Sequence, residues 1–418
     1  MRLNADSHDL LKQFDFEWLL WPLAIEDFEA KYWQERYSLV ATDRPGYFDD
    51  LFSYGDIEAI LEYGQPRPPS IRLVSSRADN RTEVPIGRNG RLDADRLRRY
   101  FSDGHTIVVN NVQDFSPAVA RLIQSMQRRT SYRVEANTYL TPPSAQGFNS
   151  HYDTHDVLVA QIDGSKRWRV YGEDSACPLQ QMTNGDPVRR ENLPTPEQFI
   201  LHPGDLLYIP RGWIHEAETD ESNASLHLTL GVHAPTGRDL LMASIEVLCR
   251  IYPEFRQTLP LGFLHNSREE TELAQMVQQL TNLLKTNPPI AQAIDHIEDD
   301  LIRRGRTAGD GRFVASVEAL ESIGLETRLD LRRHIHTRLM ESPEGVGLQF
   351  SQSLLEAPDT YREALEFVTR TAGDFGIDEL PGLRDDQKVS LGRSLVRDGL
   401  AVLATGERDE SESDEVND

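Results

Sequence analysis

The sequence predicts a mainly β core framed by helices, and three observations predict it. Between Ile71 and about His233, short runs rich in β-branched residues recur: "IRLV", "TIVVNNV", "RVEANTYL", "VLVAQI", "WRVYG", "FILH", "DLLYIP" and "SLHLTLGVH". Gly, Pro, Asn and Asp separate them, as turns between short strands require. On both sides of this stretch the apolar residues fall instead at helical spacing. Many short strands with one helical insert, "SPAVARLIQSMQRR", describe a barrel or jelly roll.

Residues 1–70 read as a helical lead-in. "LAIEDFEAKYWQERY" carries apolar residues at helical spacing, and "RPGYFDDLFSYGDIEAILEYG" reads as turn then short helix. Residues 71–235 form the expected barrel. "GRNGR" at 87–91 reads as a hairpin turn, because no parallel strand and helix frame it as a phosphate loop. In residues 236–308, "GRDLLMASIEVLCRIYPEF" and "REETELAQMVQQLTNLLKTN" repeat apolar positions at i, i+3, i+4 and i+7. They predict a helical hairpin that pairs with a second copy of the chain, with simple packing on the barrel as the alternative. Residues 309–405 mix strand-like and helical pieces. The tail, 406–418, is acidic and nearly devoid of apolar residues, which predicts disorder.

Composition narrows the function. The chain has 418 residues, 39% hydrophobic, with a net charge of −24. Length alone implies more than one domain. The charge disfavours non-specific binding to nucleic acid and favours a basic protein or peptide partner. The two cysteines, Cys177 and Cys249, make neither a disulfide framework nor a CxxC motif, which fits a reducing cytoplasm. Near the amino terminus, the apolar run Trp18 to Leu23 is short and flanked by acids, so no signal peptide or membrane span is expected.

The chemistry concentrates in "GFNSHYDTHDVLVAQIDGSKRW", where two histidines and two carboxylates open a strand. Residues two apart on a strand share a face, so His151 with Asp153, or Asp153 with His155, converge on one ion. His151 and His155, about 13 Å apart on an extended strand at about 3.3 Å per residue, do not. Downstream, "LHPGDLLYIPRGWIHEAE" is a hairpin that carries His215 to a fixed point across a barrel. Two imidazoles and one carboxylate leave open positions on a metal, the arrangement of non-heme Fe(II) oxygenases. Zinc uses the same ligand types, but no H-E-x-x-H motif supplies an extra base.

His151-x-Asp153 followed by His215 within G-D-x4-P-x4-H resembles the Jumonji-C type cupins that use iron and 2-oxoglutarate, specifically the ribosomal oxygenase group. "PLAIEDFEAKYWQERYSLV", "YFDDLFSYGDIEAIL", "ANTYLTPPSAQGFNSHYD", "GSKRWRVY" and "DDQKVSLGRSLVRDGLAVL" extend the resemblance over nearly the whole chain. It implies a double-stranded β-helix, a helical dimerisation region and a carboxy-terminal winged-helix-like domain. It also implies His151, Asp153 and His215 as the catalytic metal ligands, with His155 a neighbour. Lys166 would hold the distal carboxylate of 2-oxoglutarate. By strand alternation alone, Lys166 faces inward only if the "DGS" turn resets the register, and is otherwise a surface lysine. Asn137, Tyr139 and Thr229 would flank the cosubstrate, and His227 is either a supporting group or a satisfied core histidine.

The implied reaction takes Fe(II), 2-oxoglutarate and O2, releases succinate and carbon dioxide, and hydroxylates an unactivated C–H bond. The implied substrate is a histidine or arginine side chain of a ribosomal protein, with Asn110 and Asn111 as candidate substrate contacts. Two alternatives remain: tailoring of a peptide or small-molecule natural product, or a non-catalytic cupin that binds or regulates. Direct DNA binding is not expected, since acids crowd the basic clusters "LIRRGR" and "RLDLRRHIHTRL".

Overall fold

A computed structural model describes residues 14–76, 82–179, 182, 193–261, 263, 269–305, 313–332, 335–371 and 373–404. The acidic tail from 406 lies outside them. The chain groups into two compact units, one ending at Leu301 and the other beginning at Ile302.

In the first unit ten strands follow the expected runs: β1 (Ser38–Val40), β2 (Ile71–Val74), β3 (Thr106–Val109), β4 (Arg133–Thr141), β5 (Asp156–Asp163), β6 (Lys166–Glu173), β7 (Glu197–Leu201), β8 (Leu206–Ile209), β9 (Trp213–Glu218) and β10 (Ser225–His233). They make two antiparallel sheets, β1-β8-β5-β10-β4-β3-β2 and β7-β6-β9. Residues Gln146 and His151 add bridges to Glu218 and His215 on β9, extending the small sheet. β1 lies within the stretch expected to hold only helices and turns. Three residues are too few to carry a period, and Ser38–Val40 becomes a strand by pairing with the edge of β8.

Alternation explains why the large sheet is covered on both faces. Leu226, Leu228, Leu230 and Val232 of β10 join Val134 and Ala136 of β4 on one side. There they pack against Phe16, Leu19 and Phe28 from the helices Phe16–Leu20 and Ile25–Lys31, and against Leu122, Ile123 and Met126 from the helix Pro117–Thr130. Each such side chain contributes roughly 1.5–3 kcal/mol by burial. This packing makes the amino-terminal helices part of the same unit as the sheets. On the other face, Val157 and Val159 of β5 and Leu207 and Ile209 of β8 pack against Trp168, Val170 and Leu201 of the small sheet. The remaining inward positions of β4 and β10 are polar, and they line a cavity.

After the sheets come helices Gly237–Ile251, Glu269–Thr286 and Ile290–Arg304. A reciprocal cap between Thr236 and Asp239 starts the first. Leu241, Met242, Ile251, Val277, Ile290 and Ile294 are exposed along them. The second unit holds helices Phe313–Glu318, Arg362–Arg370 and Asp385–Arg397 with strands β11 (Arg328–Leu331), β12 (Thr337–Ser342), β13 (Gly345–Phe350), β14 (Ser353–Ala357), β15 (Asp374–Gly376) and β16 (Ala401–Leu403). Its strands form sheets β15-β11-β16 and β12-β13-β14 around Leu348, Phe350, Phe375 and Leu395. Among the described residues no helix is long and apolar enough to cross a membrane.

Candidate metal centre and cosubstrate cavity

A cavity of about 310 Å³ lies between the two sheets. Asn137, Tyr139, Val157, Val159, His227 and Thr229 line it from the large sheet. Lys166, Trp168, His215 and Ala217 line it from the small one, and Phe148, His151, Asp153 and His155 from the segment between.

His151 and His215 are fixed to each other by main chain. The His151 N–H donates to the His215 carbonyl (3.1 Å) and the His215 N–H to the His151 carbonyl (2.8 Å). Their ring centroids are 4.6 Å apart. Each Nδ1 faces a carbonyl, Asn149 at 2.8 Å and Trp213 at 3.0 Å. A carbonyl only accepts, so each Nδ1 carries a proton, and in the neutral ring this tautomer leaves Nε2 as the lone pair a metal ligand needs. Asp153 stands between them, Oδ1 at 4.0 Å from His151 Nε2 and Oδ2 at 3.7 Å from His215 Nε2. Its backbone is tied down by the Gly212 N–H, 2.9 Å from the Asp153 carbonyl.

The three ligand atoms lie within 4.8 Å of one another. Burial pushes the Asp153 carboxyl up, but His155, His151, His215 and His233 together outweigh it and hold it below the usual carboxylate range. Burial, with the neighbouring His151, lowers His215 to about 4, so it is neutral near pH 7. His155 is not one of the set; its ring stacks on His233 with centroids 4.5 Å apart.

Lys166 lies at the buried end of the cavity. Gly164, at φ +63°, turns the chain between β5 and β6, and a Cβ there would stand 2.0 Å from the Ala224 carbonyl oxygen. This turn resets the register, so Lys166, Trp168 and Val170 face inward and are buried. The Lys166 ammonium donates to Thr141 Oγ1 at 3.0 Å. Among the described residues it has no carboxylate partner, and burial lowers it to about 7. Tyr139 stacks on His227 at 4.8 Å, and burial pushes its phenol up to about 12. Burial, then the nearby Lys166, holds His227 well below the usual imidazole range. Among the described residues, His227 Nδ1 and Trp168 Nε1 are buried without a hydrogen-bond partner. A cavity end with an uncompensated cation and unused polar atoms suits an anionic ligand.

Asn137 Oδ1 accepts from the Asn111 N–H (3.2 Å), and Thr229 is paired between Asn137 and Val159. Neither Asn110 nor Asn111 lines the cavity; the Asn110 side chain donates to the Pro69 carbonyl (2.7 Å) and accepts from Arg72 (3.3 Å). Sequence reasoning missed Arg72, Phe148 and Trp168 as lining residues, and Glu216 altogether. Glu216 is 1% exposed and accepts from Ser150 (2.7 Å), Tyr171 (2.8 Å), Gln146 (3.3 Å) and Arg169 (3.4 Å). The sequence shows only an acid next to a candidate ligand; its role comes from β6, whose Arg169 pairs with it in the folded sheet.

Two imidazoles and a carboxylate on one side of a cavity between antiparallel sheets define a protein built to hold one metal ion with open positions. A JmjC domain profile matches residues 108–240. Ribosomal oxygenase 1 of Rattus norvegicus is 33% identical over 93% of this chain and 72% of its own length. The Gallus gallus counterpart is 28% identical over 92% of this chain and 71% of that protein. The bifunctional lysine-specific demethylase and histidyl-hydroxylase NO66 of Aedes aegypti is 28% identical over 72% of this chain, which spans only 49% of that relative. The chain belongs to the JmjC-domain ribosomal oxygenase family. Its fold is similar to the Escherichia coli ribosomal oxygenase YcfD in complex with cobalt and 2-oxoglutarate, at a TM-score of 0.54 and 19% identity over 92% of this chain and 99% of that one.

Proposed function

We propose that this protein is an Fe(II)- and 2-oxoglutarate-dependent hydroxylase acting on a histidine or arginine side chain of a ribosomal protein. The observation that carries the reading is Lys166: a buried ammonium without a carboxylate partner among the described residues, in the same cavity as His151, Asp153 and His215. An unpaired buried charge is costly, and a dicarboxylate cosubstrate supplies its counter-ion. His151, Asp153 and His215 are the residues to hold iron. Lys166 is assigned to the distal carboxylate of 2-oxoglutarate, with Asn137, Tyr139 and Thr229 beside it. Iron with 2-oxoglutarate and O2 supplies the oxidising power for C–H hydroxylation, yielding succinate and carbon dioxide. The protein's residues keep both imidazoles aimed, neutralise the cosubstrate at the buried end, and shield the reacting centre with Val157, Val159 and Trp168.

The same reading takes the two sheets as a double-stranded β-helix, helices 236–308 as the homodimer interface, and the carboxy-terminal unit as a winged-helix-like module without direct DNA contact. The exposed apolar residues of those helices support the second point. A net charge of −24 suits a basic ribosomal protein. Mass spectrometry of ribosomal proteins from cells with and without this protein tests the function. A gain of one oxygen atom on one protein, dependent on this chain, is expected. Ribosomal proteins identical in mass in the two cell lines would sink the substrate claim.

A further inference from the structure

The β4/β10 strand pair runs from a buried end to an exposed one. β4 and β10 pair Thr141 with Ser225, Tyr139 with His227, Asn137 with Thr229, Glu135 with Gly231 and Arg133 with His233. By alternation these all face the cavity side. Thr141 and Ser225 are fully buried, next to Lys166. At the other end the Glu135 and His233 side chains are 34% and 27% exposed. His155 lines the cavity and stacks on His233 of that exposed end.

We propose that His155 is a specificity-determining residue: its imidazole, seated in the space left by Gly231 and backed by His233, is the wall on which a planar substrate side chain, imidazole or guanidinium, stacks beside the metal position. This deepens the hydroxylase reading and rests on it. A Cβ at Gly231 would stand 2.8 Å from His155 Cδ2 and 2.9 Å from its Nε2, so the glycine is what makes room for that edge of the ring over β10. His233 covers one face of that ring, at 4.5 Å between centroids and 24° between planes. Glu135 lies 3.7 Å from His233 Nε2 and is itself paired with Arg133 (2.9 Å). The wall is thus braced by His233 of β10, which is not a member of the metal triad. Planar π groups stack on an imidazole where an aliphatic side chain gains only contact area.

The test uses short capped peptides with a single central histidine, arginine or leucine, titrated by fluorescence anisotropy against protein loaded with Co(II) and 2-oxoglutarate. Wild type is expected to bind the histidine or the arginine peptide roughly three- to tenfold more tightly than the leucine peptide, the size of one stacking contact. His155→Ala loses that preference and His155→Phe keeps it, because a planar ring remains. Gly231→Ala, which displaces the ring, loses it too, but changes nothing further in the His155→Ala background, where the clash is gone. Equal binding of all three peptides by wild type, or an undiminished preference in His155→Ala, overturns the proposal. So does a Gly231→Ala effect of the same size with and without His155. Succinate release by the Fe(II)-loaded wild type is measured separately: its absence would fail the hydroxylase reading, while the titration still decides the stacking wall.

Discussion

Ser150 Oγ donates a 2.7 Å hydrogen bond to Glu216 Oε2, and each residue is the chain neighbour of an imidazole in the candidate metal triad. With the paired main-chain bonds between His151 and His215, this contact fastens an irregular segment to a regular strand. The spacing of the two Nε2 atoms is therefore expected to depend on the buried Glu216 carboxylate. Supporting hydrogen bonds of this kind typically change metal affinity by roughly 10–100-fold when removed.

Ser150→Ala should accordingly weaken Co(II) binding by about an order of magnitude and leave the fold intact, as read by metal titration and circular dichroism. Glu216→Ala removes the acceptor shared by Ser150 and Tyr171 while Arg169 keeps its 2.6 Å pair with Glu218, and should cost roughly 1–3 kcal/mol of stability, seen as a fall in Tm. Unchanged metal affinity in Ser150→Ala would mean that the main-chain bridges alone set the triad.

The metal ligands separate cleanly from their neighbour. His151→Ala, Asp153→Ala and His215→Ala should each abolish metal-dependent succinate formation. His155→Ala should still bind one metal ion per chain. Loss of the ion from His155→Ala, to the same extent as from His151→Ala, would reassign the ligand set.

Local pattern carries some of this and not the rest. "SLHLTLGVH" shows both of its faces in the letters, leucines for the helical layer and Ser225, His227, Thr229 and Gly231 for the cavity. The H-x-D pair and the turn-bounded His215 were visible as donors, but the sequence left two pairings open, and only the bridge from His151 to His215 distinguishes them geometrically. Lys166 was conditional on its turn; Gly164, with its positive φ, meets the condition. β1 and Glu216 were illegible for one reason: a three-residue edge strand and a lone acid within a strand acquire their roles from partners far away in sequence.

The exposed side chains on helices 237–251 and 269–286 bear on assembly. Light scattering in moderate salt at micromolar concentration should report a dimer, and Leu241→Glu with Ile251→Glu should shift it to monomer without loss of helical signal. A monomeric wild type under these conditions would return the helices to packing within one chain.

Lys166→Ala should raise the apparent 2-oxoglutarate constant by two to four decades, because roughly 3–5 kcal/mol follows from leaving a buried carboxylate unpaired, at about 1.4 kcal/mol per decade. Metal binding should hardly change. Lys166→Arg should recover part of the affinity, since the charge survives on a bulkier, planar group. Wild-type affinity in Lys166→Ala would reject the cosubstrate assignment.

The same lysine predicts a pH dependence with a definite sign. Burial sets Lys166 at about 7 in the ligand-free fold, well below an unfolded lysine at about 10.4. Between those values the unfolded chain binds the extra proton, so stability without cosubstrate should rise with pH from about 7 to about 10; below about 7 this contribution is flat. Lys166→Met should lack the rise. Cosubstrate binding runs the other way, because the distal carboxylate needs the ammonium, and binding above about pH 7 must take up a proton. The 2-oxoglutarate constant should therefore worsen toward tenfold per pH unit above that point. His227, held well below neutrality, and Tyr139, at about 12, do not titrate in this window. Calorimetric titrations of 2-oxoglutarate into the Co(II)-loaded protein from about pH 6 to about pH 9 check this, with proton uptake read from buffers of different ionisation enthalpy. A constant that stays flat, or improves, as pH rises would remove Lys166 from the cosubstrate.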